Sequence, residues 1–302
     1  CRVAGAHFPC GTSTPTKNFL RFCREPGGKP AATAPTTNGI FITIMTSNAG
    51  MRLGSELSGK VALVTGGARN IGRAIAQSLA AGGAAVMVNA NTSREAAQET
   101  VKLIENAGGK AALFIADVTD PAAVAKMVEE TVKRFGRIDM LVNNAAIRSE
   151  TPFATTTLEE WRRVLSTVLD GAFISTQACL PHIIQAGGGS VINVGGLTGH
   201  KGALHRSHVV TAKGGLAAMT KALALDLAEH HITVNCVVPG TVETQRGLPG
   251  APERPSHRVT LPPIGRRGAP EEIAAMVRVL CGPDARYITG QSIHLNGGGL
   301  MP

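Results

Sequence analysis

The sequence predicts an α/β protein built on one doubly wound parallel sheet of about seven strands, with helices on both faces. Two observations support this fold class. Short apolar segments alternate with helix-forming segments between residues 61 and 295. Each apolar segment is nearly continuous, as expected of a strand that is buried on both faces of a parallel sheet. The intervening helices allow right-handed crossovers between the strands.

The individual elements follow from this alternation. Val61–Val64 forms the first strand, and Arg73–Ala80 has the composition of the first helix. The other strands are predicted at 84–89, 111–116, 138–143, 190–194, 232–238 and 291–295. The other helices are predicted at 93–107, 121–135, 158–185, 208–230 and 270–281.

The turn after the first strand is a candidate phosphate site. Gly66 and Gly67 permit backbone geometry that a side chain would block. A helix that begins at this turn offers unpaired N–H groups and the positive end of its dipole to a pyrophosphate. An ordinary strand-to-helix connection can contain the same glycines. The residues at the other strand ends therefore decide between a phosphate site and a plain connection. In open parallel sheets, ligands bind beyond the carboxyl ends of the strands.

Further motifs stand at those strand ends, namely Asp117-Val118, Asn143-Asn-Ala-Ala146 and Pro239-Gly240, and the chain closes with Tyr287–Gln291 and Asn296–Gly298. In this order, and with Lys213, the set resembles the classical short-chain dehydrogenase/reductase (SDR) family from about Leu57 to Gly299. The resemblance implies a single Rossmann-like domain over residues 55–302. It also implies a small-molecule substrate and, usually, a homodimer or homotetramer.

The same resemblance assigns a dinucleotide site. The implied contacts are Gly66, Asn70, Ile71 and Gly72 at the phosphates, Asp117 and Val118 at the adenine, Asn143 and Ala145 at the ribose, Lys213 at the nicotinamide ribose, and Pro239, Gly240 and Thr241 at the nicotinamide. Other roles are open for some of them. Asp117 could cap a helix, the Asn pair could form a turn, and Pro239-Gly240 could be a plain loop.

Two positions depart from the family pattern. Asn70 stands where the pattern usually has the middle glycine of the turn. Because Asn tolerates left-handed backbone geometry better than most residues, the turn is expected to survive. Ala146 replaces the glycine that usually follows Asn-Asn-Ala, which would narrow the pocket slightly.

The end of the second strand indicates the preferred cofactor. An acidic residue there would bind the adenosine ribose hydroxyls and repel a 2′-phosphate, and the segment Val88–Arg94 contains none. Arg94 and Arg69 offer guanidinium groups, whose paired donors suit a phosphate. The sequence therefore predicts NADP(H) over NAD(H), although both arginines could also be solvated surface charges.

The catalytic positions do not match the family. A Tyr four residues before the Lys, a Ser thirteen residues before that Tyr and an Asn on the long middle helix belong to the family pattern. Counting from Lys213 gives Val209 and Gly196 for the first two, and Val168 takes the place of the Asn. The single Tyr of the chain, Tyr287, lies in the closing segment. Val209 and Gly196 provide neither a proton donor nor a hydrogen bond for a developing alkoxide.

Candidate replacements lie in the segment before Lys213. It contains three histidines, His200, His205 and His208. Histidine titrates near neutral pH and can act as an acid or a base. If the helix already includes His205, that residue shares a face with Val209, whereas His208 points about 100° away. Thr198 could add a hydroxyl. We therefore predict Lys213, His205, His208 and Thr198 as the catalytic candidates. Alternatively, the histidines could be polar loop residues near a subunit contact.

Other activities have weaker support. The histidines lack a Cys or Glu partner in sequence for zinc, so no metal is predicted. No Gly-x-Ser-x-Gly elbow of a serine hydrolase is present. Residues 243–270 are predicted to form a lid over the substrate. Its basic residues Arg246, Arg254, His257 and Arg258 could attract an anionic substrate or keep a mobile loop soluble.

Residues 1–54 differ from the rest in composition. They contain six basic residues and one acidic residue, which account for five of the chain's nine net positive charges, and are rich in Ser, Thr, Pro and Gly. They are predicted to be a disordered basic tail, either a transit-like or an upstream sequence. The folded part is thus not strongly basic, so neither nucleic acid nor a membrane is a predicted partner. The six cysteines do not have the spacing of a metal site, and they are predicted to be thiols in a reducing compartment. The predicted location is therefore the cytoplasm.

Two functions fit the sequence. The first is an NADP(H)-dependent oxidoreductase for a carbonyl or alcohol substrate, with a histidine in place of the Tyr. The second is a cofactor-binding relative without redox turnover, or one with a non-redox activity on the same scaffold. The retention of Lys213, the phosphate turn and Pro239-Gly240 favours the first.

Overall fold

Seven parallel strands form one sheet in the order β3-β2-β1-β4-β5-β6-β7. The strands are β1 Val61–Val64, β2 Ala85–Ala90, β3 Lys110–Ile115, β4 Met140–Asn143, β5 Gly189–Val194, β6 Ile232–Pro239 and β7 Ser292–Leu295. The computed structural model describes residues 54–244 and 261–302, which belong to one unit spanning Ala49–Pro302. The predicted tail, apart from Gly54, and the central part of the predicted lid lie outside the described residues.

Eight α-helices connect the strands within the described residues. They are α1 Asn70–Ala81, α2 Arg94–Asn106, α3 Pro121–Phe135, α4 Leu158–Leu165, α5 Gly171–Gln185, α6 Thr198–Lys201, α7 Ser207–Asp226 and α8 Pro270–Cys281. A π-helical turn, Ser166–Asp170, joins α4 to α5, so the predicted helix over 158–185 is one run with a bulge inside it. The helix predicted over 208–230 ends at Asp226 and continues as a 3₁₀ turn.

Both faces of the sheet are covered, as predicted. Successive strand residues point to opposite faces. Ala62 and Val64 of β1 pack with α1, α2 and α8, whereas Leu63 packs with α3 and α5 on the other face. Strands that are buried on both faces favour apolar residues on both, which explains their mostly apolar sequences.

The strand order reverses between β1 and β4. Strands β2 and β3 lie on one side of β1, and β4 lies on its other side. The connections leave these two strands in opposite directions, so a crevice opens at their carboxyl ends. The glycine turn after β1 and the Asn pair at the end of β4 both lie at this crevice.

None of the helices in residues 54–244 and 261–302 is both long enough and apolar enough to cross a bilayer. The three cysteines of this part, Cys179, Cys236 and Cys281, are buried free thiols. Burial raises the pKa of the Cys179 thiol to about 12. These residues thus behave as packing groups in the core.

Candidate active site

The glycine turn has the geometry of a phosphate cradle. Gly66 has a φ of +63°, and Asn70 adopts a φ of +51°, which confirms that Asn supports the left-handed geometry at this position. A Cβ on Gly66 would lie 3.0 Å from the Cα of Ala145, and one on Gly72 would collide with the carbonyl oxygen of Gly66. The N-cap residue of α1, Arg69, makes no side-chain hydrogen bond to the first turn. The backbone N–H groups therefore fit a dinucleotide pyrophosphate.

Side chains from β4 and β2 hold this turn in place. The hydroxyl oxygen of Thr65 accepts hydrogen bonds from the backbone N–H groups of Asn144 and Ala145, at 3.0 and 3.1 Å. The Asn144 amide donates to the carbonyl oxygens of Thr65 and Gly66, at 3.0 and 2.9 Å. On the other side, Oδ1 of Asn89 accepts from the N–H of Gly66 at 3.3 Å. Asn144 belongs to the predicted Asn pair, whereas Thr65 and Asn89 were not predicted as site residues, although each is a polar residue at a strand end.

Asn143, which is predicted at the ribose, turns its side chain into the core. Its amide donates to Oγ1 of Thr176 at 3.1 Å and to Oδ1 of Asn193 at 2.9 Å. The Asn193 amide donates onward to Oγ1 of Thr220 at 2.9 Å. This buried chain of polar groups ties β4 and β5 to α5 and α7. Ala145, in contrast, lies against the glycine turn and borders the crevice.

Asp117 lies at the predicted adenine end of the crevice. Its carboxylate accepts from the backbone N–H of Thr119 at 2.9 Å, from that residue's hydroxyl at 2.8 Å and from the Asn91 amide at 3.1 Å. These bonds hold the pKa of Asp117 below its ordinary value, and the bond from the Thr119 N–H has the largest effect. The helix cap of α3 is Asp120, so the alternative role of Asp117 as a cap is wrong. Val118 is buried against the close-packed Gly171.

Arg69 and Arg94 are both exposed. Arg69 immediately precedes α1, and Arg94 is the first residue of α2. A hydrogen bond from Arg73, together with a weaker effect of Arg69, lowers the pKa of Glu99 on α2. Arg69 thus lies on the same side of the turn as α2.

The loop after β6 meets the end of β7. The N–H of Gly240 donates to the carbonyl oxygen of Leu295 at 2.9 Å, and a Cβ on Gly240 would lie 2.6 Å from the Cα of Asn296. This close approach explains the glycine after Pro239. The carbonyl oxygen of Thr241 accepts from the N–H of Gly268 at 2.9 Å, which anchors the end of the predicted lid.

A cavity of about 290 Å³ lies beside this loop, and its lining includes Thr241, Arg266, Glu272 and His294. Arg266 forms two bonds of 2.7 Å with the Glu272 carboxylate, so its charge is paired. The same pairing lowers the pKa of Glu272 to about 2. The basic residues predicted to attract an anionic substrate, Arg246, Arg254, His257 and Arg258, lie outside the described residues.

Lys213 lies beside Gly196 and Thr198 at the end of β5. Its Nζ donates to the carbonyl oxygen of Val194 at 2.6 Å. A Cβ on Gly196 would lie 3.8 Å from both Cγ of Lys213 and Oγ1 of Thr198, so these three residues are neighbours. Val209 is partly buried in an apolar cluster with Val168. The π-helical turn that contains Val168 thus carries an apolar, buried side chain.

The pKa of Lys213 is lowered to about 8, chiefly because burial disfavours the charged amine; Cys236 opposes this effect and Arg148 adds to it. Between pH 8 and the ordinary lysine value of 10.5, the unfolded chain binds more protons at this residue than the folded protein does. We therefore expect the unfolding free energy of the wild type, relative to Lys213→Met, to rise with pH across this window. Chemical denaturation of both proteins at several pH values measures it. A difference that is flat or falls with pH would contradict the lowered value.

The three histidines have different neighbours in the structure. His200 packs its ring against His294 of β7, with centroids 4.6 Å apart. Burial, followed by His294 and Lys221, lowers the pKa of His200. Residues 54–244 and 261–302 contain no group of three or more His, Cys, Asp or Glu that could hold a metal.

His205 was predicted to share a helix face with Val209 only if the helix included it. Because α7 begins at Ser207, the helix does not include His205, which has a φ of +59° and an exposed side chain. Its carbonyl oxygen accepts a 2.8 Å bond from the N–H of Thr151, which holds the chain outside the helix. His208 lies in the first turn of α7 and is fully buried. Its Nε2 is 3.7 Å from Oε1 of Glu160.

A parallel sheet with a glycine-lined crevice at the reversal of strand order defines a dinucleotide-binding α/β protein. A family model described as enoyl-(acyl carrier protein) reductase matches residues 66–299. An oxidoreductase of Methylorubrum extorquens is 39% identical over 248 residues, which cover 81% of this chain and 99% of that protein. The 3-oxoacyl-(acyl-carrier-protein) reductase FabG of Vibrio cholerae is 38% identical over 246 residues, covering 82% of this chain and 99% of that enzyme.

Solved structures give the same result. A dehydrogenase/reductase from Sinorhizobium meliloti superposes with a TM-score of 0.77 at 36% identity, over 82% of this chain and 98% of that one. A short chain dehydrogenase from Burkholderia cenocepacia in complex with NADP gives a TM-score of 0.75 at 34% identity, over 81% and 99% of the two chains. The chain belongs to the short-chain dehydrogenase/reductase family. It is an SDR-type oxidoreductase, of a family that uses nicotinamide cofactors and small-molecule substrates and is typically oligomeric.

Proposed function

We propose that this protein is an NADP(H)-dependent oxidoreductase of a carbonyl or alcohol substrate, with a proton donor other than the family's Tyr. The observation that carries the proposal is the position of Lys213 beside Gly196, at the end of a sheet whose phosphate cradle is intact. A bound nicotinamide would supply the hydride for a carbonyl carbon. The residues of this chain then have to bind the cofactor, exclude water and neutralise the negative charge that develops on the carbonyl oxygen.

The cofactor preference is proposed from the β2 end. Asn89, where β2 meets the glycine turn, is a neutral residue whose side chain is occupied in bracing that turn. No carboxylate follows it before Arg94. Arg69 and Arg94 are exposed at the starts of α1 and α2, and their guanidinium groups can donate to a 2′-phosphate. A neutral strand end together with two exposed guanidinium groups favours NADP(H).

Equilibrium titration monitored by protein or cofactor fluorescence tests this preference. NADPH should bind more tightly than NADH, because only NADPH carries the phosphate that pairs with the arginines. Arg69→Ala and Arg94→Ala should each weaken NADPH binding by about 10-fold, the scale of a charge-assisted hydrogen bond, and leave NADH binding unchanged. The matched control is Arg134→Ala, an exposed arginine on α3 paired with Glu130. Equal affinities for the two cofactors in the wild type would remove the argument.

The replacement proton donor is proposed to be His208. Of the two histidines predicted as candidates, His205 lies outside α7 and is exposed, whereas His208 is enclosed next to Val209. An enclosed imidazole can hold its proton in a defined direction, which an exposed loop side chain cannot. Thr198, beside Lys213 and Gly196, is the next candidate because its hydroxyl is in the same small group.

A second candidate function has its own support. Val209, Gly196 and Val168 together remove the polar groups of the family pattern, while the cradle and Lys213 are retained. A cofactor-binding relative without redox turnover would have this combination. A panel of carbonyl substrates with NADPH separates the two functions, because only an enzyme consumes the cofactor. The anionic substrate, the homodimer or homotetramer and the cytoplasmic location stay predictions.

A further inference from the structure

Lys213 places an amine at the carboxyl end of the sheet. Its Nζ donates at 2.6 Å to the carbonyl oxygen of Val194, the last residue of β5. Ligands of open parallel sheets bind beyond the carboxyl ends of the strands, so the amine lies where a ligand is expected. Lys213 is only partly buried, and so are its neighbours Gly196 and Thr198. This small group of residues is therefore in contact with solvent.

The amine has no negatively charged partner. Within the part of the chain that the structure describes, no carboxylate forms an ion pair with it. The two groups that act on its charge are Cys236, a buried thiol on β6, and Arg148, on the loop that follows β4. The family's Tyr, which such a lysine would serve, is replaced by Val209.

These surroundings make the amine easier to deprotonate than an exposed lysine. Burial lowers the pKa of Lys213 from the ordinary value of 10.5 to about 8; Cys236 opposes this effect and the positive charge of Arg148 adds to it. At pH 7, about a tenth of such amines are neutral, against less than about one in a thousand at the ordinary value. Only the neutral amine is a nucleophile. Burial and a neighbouring cation are the two means by which proteins activate a lysine for Schiff-base chemistry.

The side chain that is missing at position 196 leaves space beside the lysine. A Cβ on Gly196 would lie 3.8 Å from Cγ of Lys213 and 3.8 Å from Oγ1 of Thr198, both ordinary contact distances. A small carbon group therefore fits along the lysine stem without a clash. The Thr198 hydroxyl borders the same space and can hydrogen-bond to a carbonyl oxygen.

We propose that Lys213 is a covalent site, at which the amine adds to the carbonyl carbon of a small aldehyde and forms a Schiff base. The C–N bond forms as the carbonyl π bond breaks, and the oxygen takes up a proton. The resulting carbinolamine then loses water, which carries away the carbonyl oxygen and, in net terms, the two hydrogens of the amine. The step needs neither an oxidant nor a reductant. It is therefore an activity beyond the proposed oxidoreductase function.

Reductive trapping tests this proposal. The full chain is incubated at pH 7 with propionaldehyde and sodium cyanoborohydride, which reduces an imine to a stable secondary amine, and peptide mass spectrometry identifies the labelled lysines. Lys213 should be labelled about 10-fold faster or more than Lys201 and Lys221, because a larger fraction of its amine is neutral. These two lysines are the matched internal controls, since both are exposed and lie on α6 and α7.

The dependence on pH distinguishes an activated amine from a merely accessible one. The labelling rate of Lys213, divided by that of the two control lysines, should be greatest below pH 8 and decline above it, because the Lys213 amine is then already neutral. Measuring a ratio cancels the effect of pH on the reagents. A ratio that stays constant across pH 8 would overturn the proposal.

Variants and the cofactor assay complete the test. Lys213→Arg retains a positive charge but cannot form an imine, so the fast adduct should disappear, whereas Lys201→Arg should retain it. The wild-type peptide map decides even if Lys213→Arg fails to fold. No adduct at Lys213, or one that forms no faster than at the control lysines, overturns the proposal and leaves the oxidoreductase function standing. A fast adduct in a protein that consumes no NADPH with any carbonyl substrate supports the covalent site and removes the proposed oxidoreductase function.

Discussion

Replacing Val209 by Tyr and Gly196 by Ser together should raise carbonyl reduction with NADPH by about 10²-fold or more, the usual scale of general acid catalysis. A serine fits because a Cβ on Gly196 meets only Lys213 and Thr198, both at 3.8 Å. Val209 is only partly buried, so a larger side chain at this position is not confined on every side. Lys213 is still largely protonated at pH 7, since its pKa is about 8, and a nearby cation lowers the pKa of the new phenol.

The control for this prediction is Val209→Phe with Gly196→Ser. It introduces the same ring without the hydroxyl, so it separates proton donation from a change of pocket shape. The measurement is kcat and kcat/KM over a carbonyl panel. If the Tyr/Ser variant gains activity and the wild type has none, the chain is a cofactor-binding relative whose chemistry was lost. If neither the Tyr/Ser nor the Phe/Ser variant has a higher kcat or kcat/KM than the wild type, Lys213 does not activate a phenol at position 209.

His208→Ala should lower kcat by about 10²-fold or more while the affinity for NADPH changes little. The reason is that Val209 has no proton to donate, and His208 is the enclosed titratable group next to it. His205→Ala is the informative comparison, because His205 is exposed and outside α7. We expect its effect to be much smaller. Steady-state kinetics and cofactor titration measure both.

Removing a buried side chain can also destabilise the fold, so thermal unfolding of each histidine variant has to accompany the kinetics. His208→Gln fills more of the space and serves if the Ala variant is unstable. Measurable wild-type turnover that survives both His208 replacements would exclude this residue as the donor. Thr198 or an ordered water would then be the next candidate.

Much of the fold could be predicted from the sequence because buried parallel strands leave a local signal. Every residue of β1, β4, β5 and β6 is buried, so these strands are mostly apolar, with a few buried polar residues. The phosphate turn was also predictable, since Gly66 and Asn70 are residue types that accept a positive φ. The prediction that Val209 and Gly196 replace the family's Tyr and Ser depends only on counting positions along the chain from Lys213.

The site could be predicted only in part, because side-chain direction depends on packing. Asn143 is the last residue of its strand, and the sequence alone does not reveal that its amide faces Thr176 and Asn193. Asp117 and Asp120 are both plausible caps in sequence, and only the backbone geometry assigns the cap to Asp120. The three histidines are close in sequence, yet each one has a different neighbour in the fold.

The sequence by itself thus determined the strands, the helices and the glycine turn, since each of these depends on residue type along the chain. The tertiary structure decided the surroundings of the candidates that could replace the family's Tyr. The hydrogen bond from Thr151 keeps His205 outside α7, and the packing of α4 against the start of α7 places Glu160 beside His208. These contacts join residues far apart in the chain, and their geometry is fixed only when the helices pack.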